Sequence, residues 1–180
     1  MLNTIIGSFS SGVVTPATSY ESIATVTVGS GGSASIDFTS IPATYTHLQI
    51  RFTLATGNAS DGNFIVQFNN DTTSANYVRH YLIGDGSTVN ASGGDNTSAV
   101  AYNPGGTYPG VAVIDILDYT NTNKNKVVRS LAGQDSNGSG FVFYTSVMYM
   151  SLTAISSIKL KYASQNAPQH SQFALYGVKS

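Results

Sequence analysis

The chain has 180 residues, carries only 9% Asp, Glu, Lys and Arg with a net charge of −1, and contains no Cys and no Trp. Ordinary soluble domains carry roughly 25% charged residues, so this chain is short of the general acids, bases and metal ligands that catalysis needs. The absence of Cys removes disulfides and thiolate metal sites, and the absence of clustered Lys and Arg removes the electrostatic footprint of a nucleic-acid-binding protein. A hydrophobic fraction of 41% argues against disorder, and the length fits a single domain. No apolar stretch reaches the roughly 18 residues of a membrane-spanning helix. The N-terminus has no positive n-region, so no secretory signal is expected.

Residues 1–20 are polar and irregular up to Thr15-Pro16-Ala17-Thr18-Ser19, which predicts a short extended arm ahead of one domain at 21–180. From Glu21 the pattern has period two. Ala24, Val26 and Val28 share one face, Gly29-Ser30-Gly31-Gly32 makes a turn, and Ala34, Ile36 and Phe38 alternate again. This predicts a hairpin with a glycine-rich loop. Ile41-Pro42-Ala43-Thr44-Tyr45 breaks the pattern. Leu48, Ile50, Phe52 and Leu54 then alternate with polar residues, the clearest half-buried strand of the chain.

Phe64, Val66 and Phe68 repeat the alternation, and Tyr77 to Ile83 is a further strand of mixed pattern. Residues 84–110, rich in Gly, Ser, Asn and Pro, read as one long loop with a short strand near Ser98–Tyr102, and loops of that length are often functional. Strands follow at 111–117, Lys126–Leu131, Phe141–Met150, Ile158–Tyr162 and Gln172–Val178, separated by turns at Asn121–Asn125 and Gln134–Gly140. Only Ser151–Ser157 has room for a helical turn. About nine or ten short strands at this spacing predict an all-β protein, an antiparallel β-sandwich of jelly-roll type. Alternation fixes which face each strand buries and leaves the strand order open.

The candidates for chemistry are sparse. His47, His80 and His170 show no metal-site spacing, and each suits a hydrogen-bonded or surface role. Asp115, Asp118, Asn121 and Asn123 cluster near one strand end, and Asp61, Asn69, Asn70 and Asp71 around another. Such oxygen donors could hold Ca²⁺, but Asn and Asp are also the residues that build turns. Gly138-Ser139-Gly140 has no strand-to-helix elbow around it, and no glycine cluster has the ending of a phosphate loop. No catalytic residue, cofactor or metal is therefore expected. Eleven tyrosines suit surfaces that are both packed and wet. Tyr102 and Tyr108 in the long loop are the candidates for stacking on a glycan or a partner.

Five phrases form a set: Tyr20-Glu-Ser-Ile-Ala-Thr-Val-Thr-Val28, Ile41-Pro-Ala-Thr-Tyr-Thr-His-Leu-Gln-Ile-Arg51, Phe68-Asn-Asn-Asp71, Ile114-Asp-Ile-Leu-Asp-Tyr119 and Ser171-Gln-Phe-Ala-Leu-Tyr-Gly177. Together they resemble a β-rich domain of structural proteins of tailed bacteriophages, seen often in viruses of aquatic bacteria. The resemblance runs from about Tyr20 to Lys179 and brings no catalytic residues with it. It implies a virion component made in the host cytoplasm, with capsid or tail proteins as partners and no nucleic acid or membrane. It also implies a homo-oligomer, with a trimer favoured.

In that family the domain also occurs on longer fibre-like proteins, whereas about 20 residues precede it here. A short arm suits docking on a particle surface, with Ile5, Ile6 and Phe9 as its apolar anchors. The expected role is a capsid decoration, cement or head-surface fibre protein. The alternative is a glycan- or receptor-binding module at a tail fibre or tail tip, read through Tyr102 and Tyr108.

Overall fold

The structure, a computed structural model, describes residues 19–56, 62–102, 108–163 and 165–179. The apolar anchors Ile5, Ile6 and Phe9 of the expected arm, and Asp61, lie outside the described residues. Among the described residues, twelve strands run β1 (Tyr20–Thr27), β2 (Ile36–Phe38), β3 (His47–Leu54), β4 (Asn63–Phe68), β5 (Tyr77–Gly84), β6 (Val89–Asp95), β7 (Ala99–Tyr102), β8 (Gly110–Leu117), β9 (Lys126–Asp135), β10 (Gly140–Tyr149), β11 (Ile158–Tyr162) and β12 (Gln172–Val178). They form one sheet of eight strands in the order β1-β12-β3-β8-β9-β10-β5-β6 and one of four, β2-β11-β4-β7. Every ladder is antiparallel.

The alternation read from sequence selects the inner faces. Leu48, Ile50, Phe52 and Leu54 on β3 face Phe64, Val66 and Phe68 on β4 and Ile158 and Leu160 on β11, all within 3% of full burial. Two aromatic groups organise this core. Phe52, Phe64, Phe173 and Tyr162 pack at one end, with Tyr162 edge-on to Phe64 at 5.1 Å. Phe68, Tyr77 and Tyr149 pack at the other, the two tyrosines stacked at 4.9 Å. Each such side chain contributes about 1.5–3 kcal/mol by burial.

Three expectations are corrected. The glycine-rich segment after Val28 does not close a hairpin, because β1 pairs with β12 and β2 with β11 in the other sheet. Gly31 and Gly32 take positive φ, and a Cβ on Gly32 would lie 2.7 Å from the Ala167 carbonyl, so the chain crosses between sheets at a point where only glycine fits. The segment 84–110 is not one long loop around a single short strand: the strand expected near Ser98–Tyr102 is present as β7 at the edge of the small sheet, but β6, which was not expected, extends the large sheet beside β5. Residues 151–157 form no helical turn, and the described helix is a single 3₁₀ turn at Ser74–Asn76. Ser151–Ser157 is instead tied to neighbouring segments, with Ile155 N donating to Tyr119 O at 2.8 Å.

Candidate functional site

Asn69, Asp71, Asp118 and Asn121, singled out by sequence, are occupied in holding loops. Asn69 stands at φ +51, a left-handed conformation that Asn tolerates well. Its Nδ2 donates to Ala154 O at 2.8 Å, and its Oδ1 accepts from the backbone N–H of Ser156 at 2.9 Å and Ser157 at 3.2 Å. Asp71 accepts from Thr73 N at 2.9 Å, Asn76 Nδ2 at 2.7 Å and the Tyr149 hydroxyl at 3.2 Å. These bonds, with Asn76 foremost, hold its carboxyl below the usual range. Asp118 pairs with Lys124, which lowers its pKa, and its backbone N–H donates to His47 Nδ1 at 3.0 Å. Asn121 Oδ1 accepts from Asn123 N at 2.8 Å, a local turn. Among the described residues no three His, Asp or Glu side chains gather in a way that could hold a metal ion.

The histidines are dispersed. His47 on β3 and His80 on β5 are separated by β8, β9 and β10 in the sheet. His80 is exposed, and its ring covers Gly93, where a Cβ would come within 2.0 Å of it. His170 sits exposed at a turn with φ +72, at the opposite end of β12 from Val178, the residue that pairs with His47.

Residues from 20–28, 41–51, 114–119 and 171–177 meet one another as bracing contacts. The Tyr45 ring lies on Gly177 and its hydroxyl donates to Glu21 Oε2 at 3.1 Å, while Lys179 pairs with the same carboxylate. The Tyr119 hydroxyl donates to Pro42 O. Four separate stretches of sequence thus close one end of the sandwich.

The two tyrosines of the expected loop are placed apart in kind. Tyr102 ends β7 opposite Asn63, and Tyr108, 39% exposed, stands two residues before β8. Residues 103–107 between them lie outside the described residues.

A cleft of about 540 Å³ lies between the β5–β6 and β9–β10 hairpin ends, lined by Asp85, Gln134, Asp135, Ser139, Phe141 and glycines. Both carboxylates there serve their own turns. Asp85 accepts from the Thr88 and Ser87 amides and hydroxyls, which strongly lowers its pKa, and Asp135 Oδ1 accepts from Asn137 N at 2.9 Å.

The feature that sequence reasoning missed is the outer face of the large sheet. In register across β8, β9, β10 and β5 lie Val113, Leu131, Tyr144 and Leu82, exposed by 38%, 53%, 45% and 46%. Two residues along, the next outward row runs Val111, Gly133, Val142, Gly84 and Val89, with the three valines exposed by 54%, 59% and 72%. Seven neighbouring apolar side chains therefore face outward as one belt. Their exposed area is on the order of 600 Å², at the upper end for the largest patch on a typical monomer. Gly133 leaves a depression of about 250 Å³ in the belt, lined by Val111, Val113, Leu131 and Val142.

The row on the other side of the belt is polar: Gln49, Asp115, Arg129, Ser146 and His80. Gln49 Nε2 donates to Asp115 Oδ1 at 2.8 Å, and the Arg51 guanidinium beside it lies between the Tyr20 and Tyr176 rings at 5.5 and 5.2 Å. The small sheet presents the opposite character. Its outward residues include Lys159, Lys161, Asp37 and Gln67, with Lys159 Nζ 3.6 Å from Asp37 Oδ1. The signal for the belt was present in β8 and β10, whose sequences are apolar on both faces, as in strands covered on both sides.

A scan against protein-family models finds no match to this chain, and neither do searches of curated proteins and of solved structures.

Proposed function

We propose that the chain is a non-enzymatic structural protein of a bacteriophage particle, a capsid decoration, cement or head-surface fibre protein. The observation that carries this reading is the outward apolar belt on a protein with very few charges. A surface of that kind belongs against another protein, and a chain that keeps it serves an assembly. The family resemblance supplies the kind of assembly. The engagement of Asn69, Asp71, Asp118, Asn121 and His47 in loop and turn hydrogen bonds supports a scaffold role.

The sandwich itself is proposed to be a jelly roll with two inserted hairpins. With β5, β6, β9 and β10 set aside, eight strands remain. The first then pairs with the last (β1 with β12), the second with the seventh (β2 with β11), the third with the sixth (β3 with β8) and the fourth with the fifth (β4 with β7). That nested pairing is a long antiparallel ribbon rolled over itself, an arrangement common in viral capsid domains. The four inserted strands all extend the large sheet beyond β8 and carry most of the belt.

The test is co-sedimentation. Particles from cells expressing the tagged chain are banded on a density gradient and washed in high salt. A fixed number of copies per particle, retained after washing, is expected. Chain remaining at the top of the gradient would overturn the proposal.

A further inference from the structure

We infer that the belt over β8, β9, β10 and β5 is a two-fold interface at which two copies of this chain pack large sheet to large sheet. The inference deepens the reading of the chain as an assembly protein and rests on it only in taking the belt to be covered by protein. Three observations select a second copy as the occupant.

The first is shape. An interface between identical patches must offer both a hole and a knob on the same surface. The depression over Gly133 is the hole, nearly free of polar atoms, and Tyr144 and Leu82 on neighbouring strands are the knobs. The second is size. A stable interface buries about 800 Å² per partner, with an apolar centre and a polar rim. A belt of roughly 600 Å² bounded by the Gln49–His80 row matches that division.

The third is charge. The bounding row carries one exposed cation, Arg129, directly opposite one carboxylate, Asp115. A copy turned through a two-fold can set each sign against its opposite. A strongly charged partner would meet no matching field, because the whole chain is nearly neutral.

Past the polar row the face turns apolar again at Val127 and Met148, 40% and 37% exposed, so that row divides the belt from a second, smaller apolar strip. Towards β1 the outer face of the large sheet changes to Arg51, Tyr176, Gln172 and Thr25, which keep the packing from spreading across the whole sheet. Two sheets packed face to face lie about 10 Å apart, so Leu131 and Tyr144 near the belt centre would become fully buried. A central, fully desolvated tyrosine such as Tyr144 is the kind of position that dominates binding.

The experiment is sedimentation-velocity ultracentrifugation of the full chain from about 1 to 100 μM, with wild type compared with Leu131→Asp and Val142→Lys. Both positions are exposed, and circular dichroism and melting temperature check that the fold persists. A wild-type dimer that each variant weakens at least 100-fold is expected, since a two-fold interface carries every substitution twice and sets both charges in its buried centre. A wild type that stays monomeric at 100 μM overturns the inference. If that monomer still bands with particles, and Leu131→Asp abolishes the banding, the belt belongs to another virion protein and the proposed function stands. A dimer undisturbed by both variants places the interface elsewhere and likewise overturns it.

Discussion

Replacing Asn69 with Ala separates a bracing residue from a calcium ligand, the two roles its sequence context allowed. The side chain makes three hydrogen bonds to the backbone of residues 154–157, one as donor and two as acceptor. Net values near 1 kcal/mol apiece, less for the bond to exposed Ser156, give about 2 kcal/mol. Ala in the left-handed conformation adds about 1 kcal/mol. The total is about 3 kcal/mol, a large part of the 5–15 kcal/mol that holds most domains folded. For a chain of this length it lowers the melting temperature by roughly 6–12 °C.

Urea unfolding followed by circular dichroism measures the loss directly, with an unchanged slope expected. Asn69→Gly, which keeps the backbone conformation, is expected to lose about 2 kcal/mol. Asn69→Asp, which keeps the acceptor, is expected to lose about 1 kcal/mol. A loss below 1 kcal/mol for Asn69→Ala would refute the bracing role. So would a wild-type melting temperature that falls in EDTA, because the same oxygens would then be holding a metal.

Two further substitutions test the packing. Lys126 is 1% exposed with its Nζ on Ser151 O at 3.0 Å, and burial holds its ammonium below the ordinary lysine range. A lowered folded pKa penalises the charged form, so wild-type stability should climb as pH rises from the folded pKa towards about 10.5. Lys126→Met should therefore stabilise by about 1 kcal/mol at neutral pH, with the gain shrinking as pH rises towards about 10.5. Melts from pH 7 to 11 check this, and a clear loss at pH 7 would contradict it. Gly177→Ala places a Cβ 2.3 Å from the Tyr45 ring. It should cost about 1–3 kcal/mol and become nearly neutral in a Tyr45→Ala background, a coupling that a double-mutant cycle reads.

The strands with strict alternation were legible because burial on one face writes itself into every second residue. β3, β4 and β12 are of this kind. β6 was not, because Val-Asn-Ala-Ser-Gly-Gly-Asp holds one β-forming residue and is held in the sheet by its pairing to β5. Partner choice was illegible for a related reason. The alternation of β1 and β2 suits a hairpin as well as two separate sheets, and the decision lies in Gly32 beneath Ala167.

The candidate site divides in the same way. That Asn and Asp near Asn69 and Asp118 would build turns could be read from residue type. That Tyr45, Glu21 and Gly177 would meet could not, since they lie far apart in sequence. The outward belt was half legible. Val111, Val113, Val142 and Tyr144 were visible as apolar residues on the second face of their strands, but only the strand order β8-β9-β10-β5 joins them into one surface.

Cryo-electron microscopy of intact particles from cells expressing the labelled chain tests the central claim most directly. Ordered density over the head lattice, with neighbouring copies meeting through β8, β9, β10 and β5, is the expected result. Particles without the label, or with density confined to the tail tip, would contradict a head-surface role.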